Sequence, residues 1–193
     1  MPGALQRLVR NKRRNTALLM QFFAGSGPFN EQNIDYYSEA NFSAQQSMYL
    51  GYVEKIGQSI TGNGFPLTSA KFYMNKTGSP TGDVTAELYA HSGTFGQTSV
   101  GTGSVLATSD SIDASVISTS YGLITFTFST PYNLVNGEYY ILAVCYSGGD
   151  ALNLVRAGLD SSSPSHVGNY CYYSGGGWTA SSVKDVIFYA ISG

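Results

Sequence analysis

Hydrophobic and polar residues alternate along much of the chain, and this period of two predicts β-strands. In residues 70–75 (AKFYMN), Ala, Phe and Met alternate with Lys, Tyr and Asn, and residues 84–90 (VTAELYA) repeat the pattern. The segment between them, GSPTG at residues 78–82, has the Gly and Pro residues that turns require. Together the two segments predict a β-hairpin with one solvent-exposed face.

Other strand signals follow at fairly even intervals, separated by turn residues. Residues 138–146 (EYYILAVCY) are mostly apolar at both odd and even positions, which predicts a central strand covered on both faces. Residues 34–46 have no clear period and are predicted to be irregular. About ten strands with turn signals between them predict an all-β, antiparallel, jelly-roll-like sandwich. The remaining predicted strands are residues 47–53, 55–61, 103–108, 123–129, 152–156, 169–173 and 183–191.

The N-terminal segment has a different pattern. Residues 4–25 have helical character, and GSGPFNEQN at residues 25–33 predicts a linker. We therefore expect a helical or extended N-terminal arm with its linker in residues 1–33, and the sandwich in residues 34–193. A basic start, an apolar stretch and small residues also have the order of a signal peptide. Because the apolar stretch is short and contains Gln21, we favour an arm that docks on a partner or on its own body.

Basic residues are concentrated in this arm. Five of the ten Lys and Arg residues lie within residues 1–14, and no acidic residue precedes Glu31. Residues 1–14 therefore carry +5, and the rest of the chain, with five bases and 12 acids, carries −7. This asymmetry predicts an acidic partner, with a protein favoured over nucleic acid because five charges are few for packaging a genome. The expected docking residues are Arg7, Arg10, Lys12, Arg13, Arg14, Leu18, Phe22 and Phe23.

The composition agrees with a β-rich fold and argues against a membrane span. Charged residues make up 11% of the chain and aromatic residues 13%, with 15 Tyr and 23 Gly, so the chain is poor in helix formers. No apolar run is long enough to predict a transmembrane helix.

Signals for enzymatic chemistry are weak. His91 and His166 are isolated and lie outside any catalytic motif, so we predict no enzymatic activity and no cofactor. Asp110 and Asp113 are too few to define a calcium loop, and no metal site is predicted. A hydrolase with paired carboxylates is an alternative, because acidic residues far apart in sequence can be close in space.

Cys145 and Cys171 are two cysteines in 193 residues, too few for a disulfide framework. A single bridge between them is one interpretation. Two free, buried thiols are the favoured one, since cysteine is among the most buried residue types.

An aromatic segment, NYCYYSGGGW at residues 169–178, predicts a hairpin around its glycines. Two interpretations remain open. Its rings belong to the core, or they contact a glycan or a protein partner, because Tyr and Trp serve both purposes. The candidate contact residues are Tyr170, Tyr172, Tyr173 and Trp178.

The stretch from residue 56 to residue 146 resembles a family of sandwich modules of bacterial surface proteins and phage virion proteins, including choice-of-anchor domains. The shared run comprises a GQS strand, LTSAKFYMNKTGSPTGDVTAELYA, GSVLATS and FTFSTPYNLVNGEYYILAV, and it covers roughly half of the chain. The resemblance implies a non-catalytic unit for display, adhesion or decoration of a shell.

We therefore expect a non-enzymatic structural protein of a virion, a capsid decoration or fibre subunit. Its arm would hold it to other virion proteins and to copies of itself, as a homo-oligomer such as a trimer. The alternative is a glycan-binding adhesion module at a cell surface or in the extracellular space. Because we find no convincing signal peptide and no C-terminal sorting or hydrophobic tail, we expect the virion rather than the cell wall.

Overall fold

A computed structural model describes residues 31–193, and residues 1–30 lie outside the described part together with all the proposed docking residues of the arm. The described body consists of 14 strands in two seven-stranded sheets, here called the back sheet and the front sheet. The back sheet contains β1 (Gln32–Tyr37), β2 (Ala44–Met48), β4 (Pro66–Thr77), β8 (Gly122–Asn133), β10 (Leu154–Asp160), β13 (Asp185–Val186) and β14 (Phe188–Ser192). The front sheet contains β3 (Val53–Thr61), β5 (Asp83–Ser92), β6 (Val100–Thr108), β7 (Ile112–Asp113), β9 (Tyr139–Tyr146), β11 (Tyr170–Ser174) and β12 (Gly177–Ser181).

The chain passes repeatedly from one sheet to the other. The front sheet has the order β12-β11-β3-β9-β5-β6, with β7 beside β5. The back sheet has the order β1-β14-β4-β10-β13, with β2 beside β10 and β8 beside β4. All of these pairings are antiparallel, which confirms the predicted all-β, antiparallel sandwich. Within residues 31–193, no helix is long and apolar enough to span a membrane.

The predicted hairpin of residues 70–75 and 84–90 is wrong in its pairing. Both segments are strands, but β4 lies in the back sheet and β5 in the front sheet. Between them, Gly78 and Gly82 adopt φ values of +67° and +93°, which favour glycine, and the turn carries the chain across the sandwich. An amphipathic alternation is the same for a hairpin and for two strands that cover one core from opposite sides, so the pattern alone could not distinguish them.

Three other boundaries differ from the prediction. Residues 34–46, predicted to be irregular, contain most of β1 and the start of β2; β1 is largely exposed and therefore lacks an alternating pattern. The predicted strand at residues 47–53 is mostly a turn, in which Gly51 has a φ of +78°. The predicted strand at residues 183–191 is divided into β13 and β14.

Two apolar cores lie on the two faces of the front sheet. The main core fills the space between the sheets and contains inward-facing residues such as Phe72, Leu142 and Phe188. A smaller core on the outer face contains Ile141, Ala143, Cys145, Tyr89 and Cys171. Strand β9 contributes to both cores, as predicted for a strand covered on both faces.

The front sheet curls over this smaller core. Strands β6 and β12 form its opposite edges, yet a Cβ atom at Gly101 in β6 would lie 2.9 Å from the Trp178 indole in β12. The indole therefore packs directly on the β6 backbone. This curvature brings side chains from both edges of the sheet to one outer face.

Candidate functional site

The aromatic hairpin forms as predicted, and it delivers two of its rings to the outer face of the front sheet. Strands β11 and β12 pair around Gly175 and Gly176, with Tyr173 opposite Trp178. Strand β11 also pairs with β3, which places Tyr173 opposite Lys55. Because side chains opposite one another in antiparallel strands share a face, Trp178, Tyr173 and Lys55 form a row.

Strand β5 adds an acid and a phenol to this row. The Lys55 Nζ atom lies 2.7 Å from Glu87 Oε2, and both groups hydrogen-bond to the Tyr89 hydroxyl. The ammonium also lies over two aromatic rings, 5.0 Å from the Tyr89 centroid and 5.7 Å from the Tyr173 centroid. We call Lys55, Glu87, Tyr89, Tyr173 and Trp178 the Lys55 patch.

Both charges of the Lys55 patch are retained despite partial burial. The side chains of Lys55 and Glu87 are 24% and 15% exposed. Burial alone would lower the pKa of Lys55, but its hydrogen bonds to Glu87 and Tyr89 outweigh burial and raise it. Burial would raise the pKa of Glu87, but hydrogen bonds from Lys55 and Tyr89 lower it. The patch therefore presents a fixed ion pair at neutral pH.

The predicted contact residues divide between the two faces of β11. Tyr170 lies in the main core and is 1% exposed, so the prediction that it contacts a ligand at the surface is wrong. Tyr172 is half-buried and packs against the same core. Tyr173 and Trp178 lie on the outer face, where Trp178 forms T-shaped contacts with Tyr89 and Tyr173 at centroid distances of 5.4 Å and 5.6 Å. The core interpretation therefore applies to Tyr170 and Tyr172, and Tyr173 and Trp178 remain candidates for contact with a ligand.

Sequence reasoning missed Lys55, Glu87 and Tyr89. One signal was present, because Glu87 and Tyr89 lie on the polar side of the alternation in β5. Their convergence with Lys55 depends on β9, which lies between β3 and β5 and pairs with both. That register is not visible in the sequence.

The two cysteines are free and buried, as predicted. Strand β3 separates them, since Cys145 is in β9 and Cys171 in β11. Strands that lie on either side of a third strand are about 9.6 Å apart, and a disulfide cannot span this distance. Burial raises the pKa of both thiols, so the uncharged form dominates at neutral pH.

Two buried carboxylates lie opposite each other in the back sheet, as the alternative of paired acids requires. Asp160 and Asp185 are cross-strand partners, and each is 2% exposed. Asp160 accepts hydrogen bonds from Ser43 Oγ at 2.7 Å and Tyr37 Oη at 2.8 Å. Asp185 accepts hydrogen bonds from Gln58 Nε2 at 2.8 Å and from His166 N at 2.9 Å. Solvent hardly reaches this pair, and internal donors occupy its oxygens.

Both ring nitrogens of His166 are also engaged. The backbone N–H of Gly168 donates to Nδ1 at 3.0 Å, so the proton of the neutral ring lies on Nε2. Nε2 lies 3.0 Å from Asp35 Oδ1 and donates to it. In residues 31–193, no cluster of three or more His, Cys, Asp or Glu side chains has the geometry to hold a metal ion.

Comparison with known proteins gave no match to this chain among protein-family models, curated proteins or solved structures.

Proposed function

We propose that this chain is a non-enzymatic structural protein of a virion whose front sheet recognises a glycan. The observation that carries the glycan proposal is the Lys55 patch, where two rings of the aromatic hairpin meet a fixed Lys–Glu–Tyr network on one outer face. Aromatic rings stack on the apolar faces of sugars, and the polar groups of the patch can exchange hydrogen bonds with hydroxyl groups.

The charge state of the patch favours a neutral sugar. Glu87 already neutralises Lys55, so the patch has no surplus positive charge for an acidic sugar. The described body also carries a net charge of −7, with five bases and 12 acids, which repels anionic ligands. A neutral glycan needs no surplus positive charge and is not repelled by the acidic body. It can still use the ammonium and the carboxylate as hydrogen-bond partners.

A glycan array tests this proposal. We expect the wild-type chain to bind neutral glycans, and Tyr173→Ala and Trp178→Ala each to weaken binding at least about tenfold, equivalent to roughly 1.4 kcal/mol. Tyr36→Ala is the matched control, because Tyr36 is an exposed tyrosine of the back sheet. Circular dichroism melting of each variant verifies folding. Absence of wild-type binding to any sugar, or full binding by both variants, would sink the glycan proposal.

The virion part of the proposal rests on the resemblance and on the charge asymmetry of the chain. Residues 1–14 carry +5 and the remainder −7, so a basic arm of one subunit is complementary to the acidic body of another. Such an arm would serve to assemble the protein with copies of itself or with other virion proteins.

Light scattering after size exclusion tests the assembly role. We expect the full chain to form a defined oligomer at low salt that weakens at high salt, because screening reduces attraction between exposed charges. A chain of residues 28–193 should be a folded monomer under both conditions. If both chains are monomers at low and at high salt, self-assembly through the arm is contradicted. If the full chain binds DNA or RNA in a salt-sensitive way and the shortened chain does not, nucleic acid is favoured as the partner of the arm.

A further inference from the structure

A cleft lies where β9 begins in the front sheet, next to the Lys55 patch. It has a volume of about 270 Å³ and is lined by Ala90, His91, Leu106, Tyr132, Glu138, Tyr139 and Tyr140. Tyr139 lies six residues before Cys145 on β9, and Cys145 is opposite Lys55. At about 3.3 Å per residue, Tyr139 therefore lies about 20 Å along β9 from the position opposite Lys55. On β5 the two sites are neighbours, because Ala90 of the cleft directly follows Tyr89 of the Lys55 patch. The cleft is thus a separate recess beside the patch, lined by different residues.

Aromatic rings form the walls of the cleft, and their contacts fix them in place. Tyr139 is 42% exposed and stacks on Phe95 with a centroid distance of 4.1 Å. His91 and Tyr139 form a T-shaped contact with a centroid distance of 5.4 Å, and Tyr132 and Tyr140 form another at 6.1 Å. The Tyr140 hydroxyl is occupied by the backbone N–H of Val135 at 3.0 Å, which orients that ring. Preorganised rings lose little entropy when a ligand binds.

The charge of the cleft is negative. Glu138 is exposed at its rim, and within residues 31–193 no basic side chain forms a salt bridge with it. Burial lowers the pKa of His91, which keeps the imidazole neutral at physiological pH, and its Nε2 atom lies 2.9 Å from Ser99 Oγ. The lining thus combines several electron-rich aromatic rings with one carboxylate and no compensating cation.

We propose that this cleft binds a small organic ammonium group. A cation in the cleft would lie among tyrosine rings, whose quadrupoles attract it, and Glu138 adds a direct charge interaction. An anion would be repelled by Glu138 and by the acidic body. The volume lies just below the range of about 300–1,000 Å³ for pockets that hold drug-sized ligands, so it suits a head group such as trimethylammonium.

An NMR titration of the full chain with choline tests the proposal. The neutral probe is 3,3-dimethylbutan-1-ol, which has the shape of choline but no charge. We expect choline to shift the amide signals of Ala90, His91, Tyr139 and Tyr140, and the alcohol to bind roughly 2- to 30-fold more weakly. Glu138→Gln and Tyr139→Ala should each weaken choline binding by a factor in the same range.

Two control variants test whether weaker choline binding is specific to this cleft or follows from the loss of any exposed carboxylate or aromatic ring. Asp83→Asn removes an exposed carboxylate at the start of β5, and Tyr36→Ala removes an exposed ring of the back sheet. Both should bind choline as the wild type does. The proposal is overturned by equal binding of choline and the alcohol, by no choline binding, or by Glu138→Gln and Tyr139→Ala binding as tightly as the controls.

Discussion

Gly168 lies where any larger residue would collide with a strand of the front sheet. A Cβ atom at this position would lie 2.0 Å from the carbonyl oxygen of Ser59 in β3. The close approach is held by hydrogen bonds on both sides, from Gly168 N to His166 Nδ1 at 3.0 Å and from Asn169 N to Ser59 Oγ at 2.7 Å. The obstacle is backbone, which cannot move aside as a flexible side chain can.

We therefore predict that Gly168→Ala destabilises the fold by about 1–3 kcal/mol through overpacking. Chemical denaturation with urea measures the loss as a lower midpoint. Gly177→Ala is the matched control, because Gly177 has open space around its Cβ position. Equal stability of the two variants would contradict the steric argument.

The positions of single side chains were only partly predictable from sequence. Tyr170 and Tyr173 belong to one aromatic run, and alternation indicates that they face opposite ways. Which of the two faces the core depends on the pairing of β11 with β3, and this pairing joins segments more than a hundred residues apart. The sequence therefore identified the aromatic hairpin but could not assign its faces.

At the scale of elements, the long strands were predictable and their partners were not. Strands β4, β5 and β9 have strong alternation or continuous apolar runs, and each was predicted close to its observed position. The turn at Gly78 and Gly82 was also recognised, but not its crossing between sheets. Pairing depends on which strands share a layer, and a local pattern has no information about layers.

At the scale of the whole molecule, buried polar groups join the two sheets. Gln58 of the front sheet donates to Asp185 of the back sheet at 2.8 Å and accepts from Val186 N at 2.9 Å. Asp160 lies opposite Asp185, and the pKa values of the two carboxyl groups are shifted in opposite directions. Burial raises the pKa of Asp185, so protonation of this group is easier in the folded state.

Asp160 has the larger consequence for acid stability. Burial opposes its ionisation, but hydrogen bonds from Ser162, Ser43 and Tyr37 outweigh burial and hold the pKa of Asp160 well below its usual value. A carboxyl group with a depressed folded-state pKa stabilises the fold above its unfolded pKa of about 3.9, and this contribution is lost as the pH falls.

We predict that the free energy of unfolding decreases between about pH 5 and pH 2, and that Asp160→Asn flattens this decrease and costs about 1–3 kcal/mol at pH 7. Urea denaturation at a series of pH values measures both effects. Asp83→Asn, a change at an exposed carboxylate, should leave the pH profile near that of the wild type. An unchanged slope in Asp160→Asn would show that other carboxylates dominate acid unfolding.

The separation of Cys145 and Cys171 by an intervening strand makes the described body indifferent to the redox state of its surroundings. The fold has no internal cross-link to gain in an oxidising compartment or to lose in a reducing one. Its protonated thiols are also poor nucleophiles toward glutathione disulfide, because thiol–disulfide exchange requires the thiolate. The described body therefore keeps the same covalent structure in a reducing and in an oxidising environment.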